Sequence, residues 1–126
     1  LMDTHSSLLA FVEQAFSAHL ATPAQLTQDA LTLTLNNGVV LAIRYAAHDA
    51  YSLRWRTSIE ADAPELGIDT APTHSELSTY PNHLHLADGR VIADPLTKVT
   101  ATAEDNLAAV LRALLVDPLL SEVPHV

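Results

Sequence analysis

The stretch Ala30-Leu-Thr-Leu-Thr-Leu-Asn-Asn-Gly-Val-Val-Leu-Ala-Ile-Arg-Tyr45 decides the fold. Leucine and threonine alternate strictly in its first half, which is typical of a strand with one buried and one exposed side. The alternation resumes from Val39 to Tyr45. Asn36-Asn37-Gly38 lies between the two runs, and an Asn-Gly pair in this position favours a hairpin. The stretch therefore predicts two antiparallel strands joined by a tight turn.

Two turn geometries are compatible with this hairpin. A two-residue turn at Asn37-Gly38 would set the buried leucines opposite the weaker side of the second strand. A three-residue loop with a left-handed Gly38 would pair apolar residues throughout: Leu35 with Val39, Leu33 with Leu41, and Leu31 with Ile43. Since a slip of one residue moves every side chain to the other face, the apolar match decides. We predict the three-residue loop.

A third strand, Tyr51 to Thr57, follows a predicted loop over residues 46–50. Matching the apolar faces pairs Tyr45 with Tyr51, Ile43 with Leu53 and Leu41 with Trp55. The opposite face, called here the polar face, is basic in an acidic chain, and it carries Thr32, Thr34, Arg44, Ser52, Arg54 and Arg56. Two interpretations stay open: a solvated outer surface, or a surface that binds an anionic group.

Helices are predicted at both ends of the chain. The first covers residues 4–21, with Thr4 or Ser6 as its cap and Thr22-Pro23 as its end. The second covers residues 103–116, with Thr102 as its cap and Asp117-Pro118 as its end. Their apolar stripes are Leu8, Phe11, Val12, Ala15, Phe16 and His19 in the first, and Leu107, Val110, Leu111, Leu114 and Leu115 in the second. We expect both to cover the apolar side of the sheet.

The remaining residues complete an α+β prediction. Residues 60–66 are acidic and predict a loop, and Gly67 to Asp69 predicts a short extended piece. Asp88-Gly89 favours a hairpin that joins residues 83–86 to residues 90–92. The predicted fold is an antiparallel meander of about four to five strands with the two helices on one face. It forms a single domain over 1–126 whose tail, about 119–126, is loosely ordered.

Composition narrows the function. The 126 residues carry a net charge of −9, which argues against binding nucleic acid over the whole surface. Cysteine is absent, so thiolate chemistry and cysteine-based zinc sites are excluded. No apolar run approaches the length of a membrane span, and we expect a cytoplasmic protein without membrane contact. Leu1-Met2 suggests that Met2 is the natural first residue and Leu1 a remnant.

The segment Ala71-Pro-Thr-His-Ser-Glu-Leu-Ser-Thr-Tyr-Pro-Asn-His-Leu-His85, called here the histidine segment, holds three of the seven histidines. His83 and His85 are two apart and point to one side of an extended chain. His74 is near enough in sequence to fold back on them. These are the candidate catalytic residues of the chain.

Three kinds of chemistry fit this segment. As acid and base, the histidines could cleave RNA at the 2′-hydroxyl without a metal or other cofactor, with Arg44, Arg54, Arg56 or Arg90 binding the phosphate. As metal ligands, His74, His83 and His85 could form a hydrolase centre, with Asp69 or Glu76 as a fourth ligand. As structural residues, they could fix a loop in a non-enzymatic protein-binding module.

The glycine pattern argues against an enzyme that binds a nucleotide cofactor or a nucleoside triphosphate. The chain has 3 glycines, and none lies in a glycine-rich phosphate loop. Neither a Gly-x-Ser-x-Gly elbow nor a His-Glu-x-x-His helix motif occurs.

The histidine segment resembles a known family. Ala71-Pro72-x-His74-x-Glu76 followed by Thr79-Tyr80-Pro81-x-His83-x-His85 is similar to the TumE-like toxins of bacterial and archaeal toxin–antitoxin pairs. The family pattern begins with a Tyr-Ser-x-x-Trp strand and an Asp-x-Ala-Pro run, matched here by Tyr51-Ser52-Leu53-Arg54-Trp55 and Asp69-Thr70-Ala71-Pro72. The resemblance extends from about Tyr51 to Pro118.

The resemblance implies a toxin whose partner is a small helix-turn-helix antitoxin. RNA is the substrate expected from the residues themselves, and a homodimer is the expected assembly. Thr73 and Asn82 depart from the family pattern, which has the first histidine of a His-His pair at each place. If those histidines were essential, this chain would be a non-toxic relative. The acidic residues 60–66 also replace the family's shorter hairpin.

Overall fold

A single antiparallel sheet of seven strands organises the chain in the computed structural model, which describes residues 3–121. The strands lie side by side in sequence order: β1 Gln25–Leu26, β2 Leu31–Thr34, β3 Val40–Ala47, β4 Ala50–Arg56, β5 Glu65–Asp69, β6 His83–His85 and β7 Val91–Ala93. Helix α1 spans Thr4–Ala15 and helix α2 spans Ala103–Val116. The α+β prediction is confirmed, but the predicted number of about four to five strands is wrong.

The central hairpin has the predicted three-residue loop. The N–H of Leu35 donates to the carbonyl of Val39 at 2.9 Å, and Gly38 has a φ of +94°. A positive φ at this position explains why glycine is found there. The predicted apolar pairs across β2, β3 and β4 are all present: Leu31 with Ile43, Leu33 with Leu41, Tyr45 with Tyr51, Ile43 with Leu53, and Leu41 with Trp55.

The predicted loop over residues 46–50 is wrong. Strand β3 continues to Ala47 and β4 starts at Ala50, so the connection is a tight turn. A register shift between Tyr45 and Ala47 accommodates the extra residue. This irregularity lengthens the hairpin without moving the apolar side chains out of the core.

Two strands were not predicted as such. Strand β1 has two exposed residues and lies at the sheet edge, so it leaves no periodic pattern to recognise. Strand β5 includes Glu65 and Leu66, which belong to the predicted acidic loop over residues 60–66. Its glycine weakens the strand signal, but pairing with β4 on one side and β6 on the other overrides that preference.

Helix α1 starts at the predicted residue 4, but its cap and its end differ from the prediction. Its cap is Asp3, whose carboxylate accepts from the N–H of Ser6 at 2.8 Å, and not Thr4 or Ser6. The helix ends at Ala15, and a 3₁₀ turn follows over Ser17–His19. The backbone after this turn pairs with the end of the central hairpin, where the N–H of Ala21 donates to Thr34. These tertiary hydrogen bonds end the helix before Pro23.

Helix α2 has the predicted bounds and cap. Thr102 Oγ1 accepts from the N–H of Asp105 at 3.0 Å, while Arg112 is exposed. Asn106 is buried, and its amide donates to Tyr45 Oη at 3.3 Å and to the carbonyl of Lys98 at 2.9 Å. This side chain joins the helix to the sheet and to the connector before it.

Both helices lie on the apolar side of the sheet, as predicted. One continuous core joins them to it, with Leu8, Val12, Leu107, Val110, Leu111 and Leu114 packed among Leu33, Leu41, Ile43, Leu53, Trp55, Ile68 and Leu84. The two helices therefore leave the polar face of the sheet uncovered. In the described chain, no helix has the length and apolar character needed to cross a bilayer.

Part of the predicted loose tail is described. Leu120 is 2% exposed and belongs to the core, and the carbonyl of Pro118 accepts from Trp55 Nε1 at 2.8 Å. The rest of that tail, residues 122–126, and the predicted start at Leu1-Met2 lie outside the described residues.

Candidate functional site

Strands β5 and β6 present Asp69, His83 and His85 on the polar face. Asp69 is paired with His83, and Gly67 is paired with His85, so these positions share one side of the sheet. The turns of the histidine segment fold His74 back over them. Its ring centroid lies 4.8 Å from that of His83 and 6.3 Å from that of His85. These four side chains are called here the histidine cluster.

Asp69 connects the two strand histidines. Its Oδ1 lies 3.0 Å from His83 Nε2, and its Oδ2 lies 3.1 Å from His85 Nε2. The N–H of Ala71 donates to Oδ1 at 3.0 Å, which fixes the orientation of the carboxylate. One carboxylate therefore holds both imidazoles at their Nε2 atoms.

His83 is enclosed, with 1% of its side chain exposed. Its Nδ1 lies 3.0 Å from the carbonyl oxygen of Pro81, while its Nε2 faces Asp69. Both ring nitrogens thus meet oxygen acceptors, and a neutral imidazole can donate from only one of them. Only one of these two contacts can therefore be a hydrogen bond from a neutral ring, and the tautomer determines which nitrogen donates.

His74 and His85 are the accessible members of the cluster, with 32% and 39% of their side chains exposed. Nδ1 of His74 lies 3.5 Å from Glu76 Oε1. Each of the two rings is therefore paired with a carboxylate through one nitrogen. These two histidines are the ones that a bound molecule could touch.

The four candidate arginines are not all at this site. Arg44 and Arg54 lie on the polar face, in the same cross-strand rows as Asp69 and His85. Arg56 shares the face, but its guanidinium donates to the carbonyl of Glu60 in the acidic loop. Arg90 follows the β6–β7 turn at the position opposite Leu86, on the helix side of the sheet, and its Nε contacts Asp88.

A family model described as Toxin TumE matches residues 8–117. The chain belongs to the TumE toxin family. No curated protein and no solved structure matches the chain.

Membership of the TumE family identifies this chain as related to the toxin component of toxin–antitoxin systems, a class that works with an antitoxin. The matched range contains all seven strands and α2, so the histidine cluster lies inside the family's own region. The resemblance stated from the histidine segment is thereby confirmed.

In this TumE chain, Asn82 is a structural residue. It is 3% exposed, and its amide donates to Tyr51 Oη at 2.7 Å and to Asp94 Oδ2 at 3.1 Å. Asp94 also accepts from the N–H groups of Leu96 and Thr97. Because Asn82 precedes His83 on an extended chain, it points to the helix side and away from the cluster. A histidine at this position would not face His85.

Burial raises the pKa of the two tyrosines next to this network. It raises the pKa of Tyr45 to about 12, although the hydrogen bond from Asn106 opposes this effect. Burial also raises the pKa of Tyr51, against the hydrogen bonds with Thr97 and Asn82. Both phenols therefore stay neutral at physiological pH and act as hydrogen-bonding links behind the site.

The residue that sequence reasoning underestimated is Asp69. The sequence predicts it only as a possible fourth metal ligand, whereas in the structure it contacts both strand histidines. The missing signal was the register of β5: once Asp69 is placed opposite His83, alternation puts both on one face. The role of Gly67 is also not evident from the sequence. In the structure, this glycine leaves space that the stem of Arg54 fills. A Cβ at this glycine would lie 3.3 Å from Arg54 Cγ.

Proposed function

We propose that this TumE-family chain is a toxin that cleaves RNA, and that the histidine cluster is its reactive centre. The observation that carries the proposal is the convergence of Asp69, His74, His83 and His85 from two strands and a loop onto the polar face. The imidazoles of His74 and His85 are accessible there. The Asp69 carboxylate contacts His83 and His85 and so fixes the positions of both rings.

Arginines supply the contact to the phosphate. Arg54, Gly67 and His85 form one row across three strands, so the backbones of the two outer residues are about 10 Å apart. The Arg54 stem packs over Gly67 toward β5, and its Nε lies 3.3 Å from Glu65 Oε1 in an exposed ion pair that a phosphate would have to displace. Arg44 makes no ion pair with any residue between 3 and 121. An RNA phosphate placed between these arginines and His85 could contact an arginine on one side and His85 on the other.

The proposed reaction uses the 2′-hydroxyl of RNA as the nucleophile. Its oxygen attacks phosphorus, the bond from phosphorus to O5′ breaks, and a 2′,3′-cyclic phosphate and a 5′-hydroxyl form. One proton leaves the 2′-hydroxyl and one reaches O5′. We assign one transfer to His74 and place the other at His85, where Asp69 holds the ring. His83 is too enclosed to touch the substrate.

Inducible expression in a bacterial host tests the proposal. The wild-type chain should arrest growth and cause RNA fragments to accumulate, and a His74→Ala/His85→Ala double variant should do neither. Arg112→Ala is the matched control, because that side chain is exposed on α2. Continued arrest by the double variant at an equal protein level would refute the proposal.

The proposed partner is an antitoxin with a helix-turn-helix domain. The TumE family implies an antitoxin in general, and the basic polar face offers it charge to complement. Co-expression with the product of the neighbouring gene should restore growth, and the two proteins should purify together. If the neighbouring product neither binds nor restores growth, this partner is wrong. The expected homodimer stays a prediction for sedimentation analysis.

A further inference from the structure

We infer that Asp69, His83 and His85 bind a divalent transition-metal cation, and that this cation forms part of the reactive centre. The second statement rests on the proposed function, whereas the first stands without it. With the cation bound, Nε2 of His85 would be a ligand, so the proton transfer placed at His85 in the proposed reaction would pass to a solvent water. The three residues are called here the Asp69 group. They differ from the ligand set expected from the sequence, because Asp69 takes the place of His74.

The donor atoms of the Asp69 group are already gathered. One ligand atom from each residue lies within 4.8 Å of the others. Two imidazole nitrogens and one carboxylate oxygen are ligands that zinc and related divalent ions accept, and three protein ligands leave a further position open. The open position matters because His85 is 39% exposed, so the group can be reached from solvent.

Neighbouring groups orient these donors as the outer partners of metal ligands do. The carbonyl oxygen of Pro81 lies 3.0 Å from Nδ1 of His83, and a neutral ring that donates to this oxygen has its free lone pair on Nε2. The N–H of Ala71 holds the Asp69 carboxylate from the other side at 3.0 Å. Ring and carboxylate therefore both aim at the same small volume.

His83 decides between acid–base chemistry and cation binding. At 1% exposure, it cannot exchange a proton with a substrate, so an acid–base site would gain no reacting group from it. A neutral ring that donates to Pro81 would also point its Nε2 lone pair at Asp69 Oδ1 from 3.0 Å, which is repulsive. A cation between the two atoms converts this repulsion into two bonds. Without a cation, a neutral ring would have to donate from Nε2 to Asp69 and leave Nδ1 facing the Pro81 oxygen without a hydrogen bond.

A bound cation would add positive charge to the polar face, where the RNA phosphate is proposed to bind. The chain has a net charge of −9, which opposes the approach of RNA. Two neutral imidazoles, one carboxylate and a divalent ion would together carry one positive charge on the polar face. That charge lies beside His74 and in the same row as Arg54, where the phosphate is proposed to bind.

Isothermal titration calorimetry on the full chain, treated with chelator and free of any affinity tag, tests the site. Zn²⁺, Mn²⁺ and Co²⁺ are titrated separately, and at least one should bind with a stoichiometry of one. The Asp69→Asn and His83→Gln variants should bind it more weakly by at least the roughly 10–100-fold that loss of an outer-shell partner costs. Glu76→Gln, which changes the carboxylate beside His74 but leaves the Asp69 group intact, is the control.

The outcomes separate the two statements. Absence of stoichiometric binding by all three ions would overturn the site, and so would unchanged binding by both variants. If the ion binds but chelator leaves RNA cleavage unchanged, the catalytic role is overturned. Restoration of cleavage by the bound ion alone would support it. Binding without RNA cleavage by any form would overturn the proposed function and leave the site intact.

Discussion

His83 divides the histidine cluster into an enclosed part and an accessible part. The enclosed part is the contact of His83 with Pro81 and Asp69, and the accessible part is His74 and His85. In the proposed reaction, RNA would meet only the accessible rings, and the contact of His83 with Asp69 would hold the carboxylate in place. Substitution of any of the three histidines should therefore reduce activity, but for different physical reasons.

At the same scale, Asn82 should affect stability more than chemistry. Asn82→Ala removes the donor to Tyr51 and Asp94 inside the protein, and an unsatisfied buried polar group costs about 1–3 kcal/mol. Urea unfolding should show a loss of this size. Thr73→Ala, at the other departure from the family pattern, is exposed and should change the free energy of unfolding by less than about 0.5 kcal/mol. Equal effects of the two substitutions would contradict the structural role of Asn82.

The side of the strand on which His83 and His85 lie could be predicted from the sequence, because alternation is local. The position of His74 over them agrees with the expectation that it folds back. The central position of Asp69 could not be predicted, since it depends on a long-range pairing between β5 and β6. Likewise, no local pattern indicates that Arg90 lies on the helix side of the sheet.

At the scale of elements, pairing and capping explain both the successes and the errors. The central hairpin and α2 carry strong local signals, so their register and bounds follow from sequence alone. The end of α1 and strand β5 depend on partners elsewhere in the chain. In each case, tertiary hydrogen bonds override the local preference.

The cap of α2 provides a test at this scale. Thr102→Ala removes the side-chain acceptor for the N–H of Asp105, and loss of such a cap costs about 1 kcal/mol. Chemical denaturation should report this decrease with an unchanged slope, because the fold stays the same. Arg112→Ala on the exposed side of the helix should leave the midpoint unchanged. A Thr102→Ala midpoint equal to that of wild type would show that the cap does not stabilise the helix.

At the scale of the whole molecule, one sheet separates the hydrophobic core from the candidate site. Its apolar side binds both helices and provides the core, and its polar face carries the histidine cluster and the accessible arginines. The links behind the site run through Tyr45 and Tyr51, whose rings stack with centroids 4.7 Å apart. Alkaline pH should therefore affect the whole fold through these phenols.

The direction of that effect follows from the raised pKa of Tyr45, about 12 in the folded protein against 10.0 as the ordinary value. The folded state binds this proton more tightly, so the contribution to stability is fully present below pH 10 and is lost as pH rises toward 12. Absorbance of the phenolate, recorded with circular dichroism, should show ionisation coupled to unfolding. Tyr45→Phe should weaken the pH dependence. Ionisation of Tyr45 near pH 10 with the fold retained would contradict the assignment.

Cleavage of a single-stranded RNA by the purified chain tests the central claim most directly. The wild type should produce fragments that end in a 2′,3′-cyclic phosphate and a 5′-hydroxyl. The His74→Ala/His85→Ala variant, with the circular dichroism spectrum of the wild type, should produce none, and Arg112→Ala should cleave normally. Cleavage by the double variant at the wild-type rate would show that the histidine cluster is not the reactive centre.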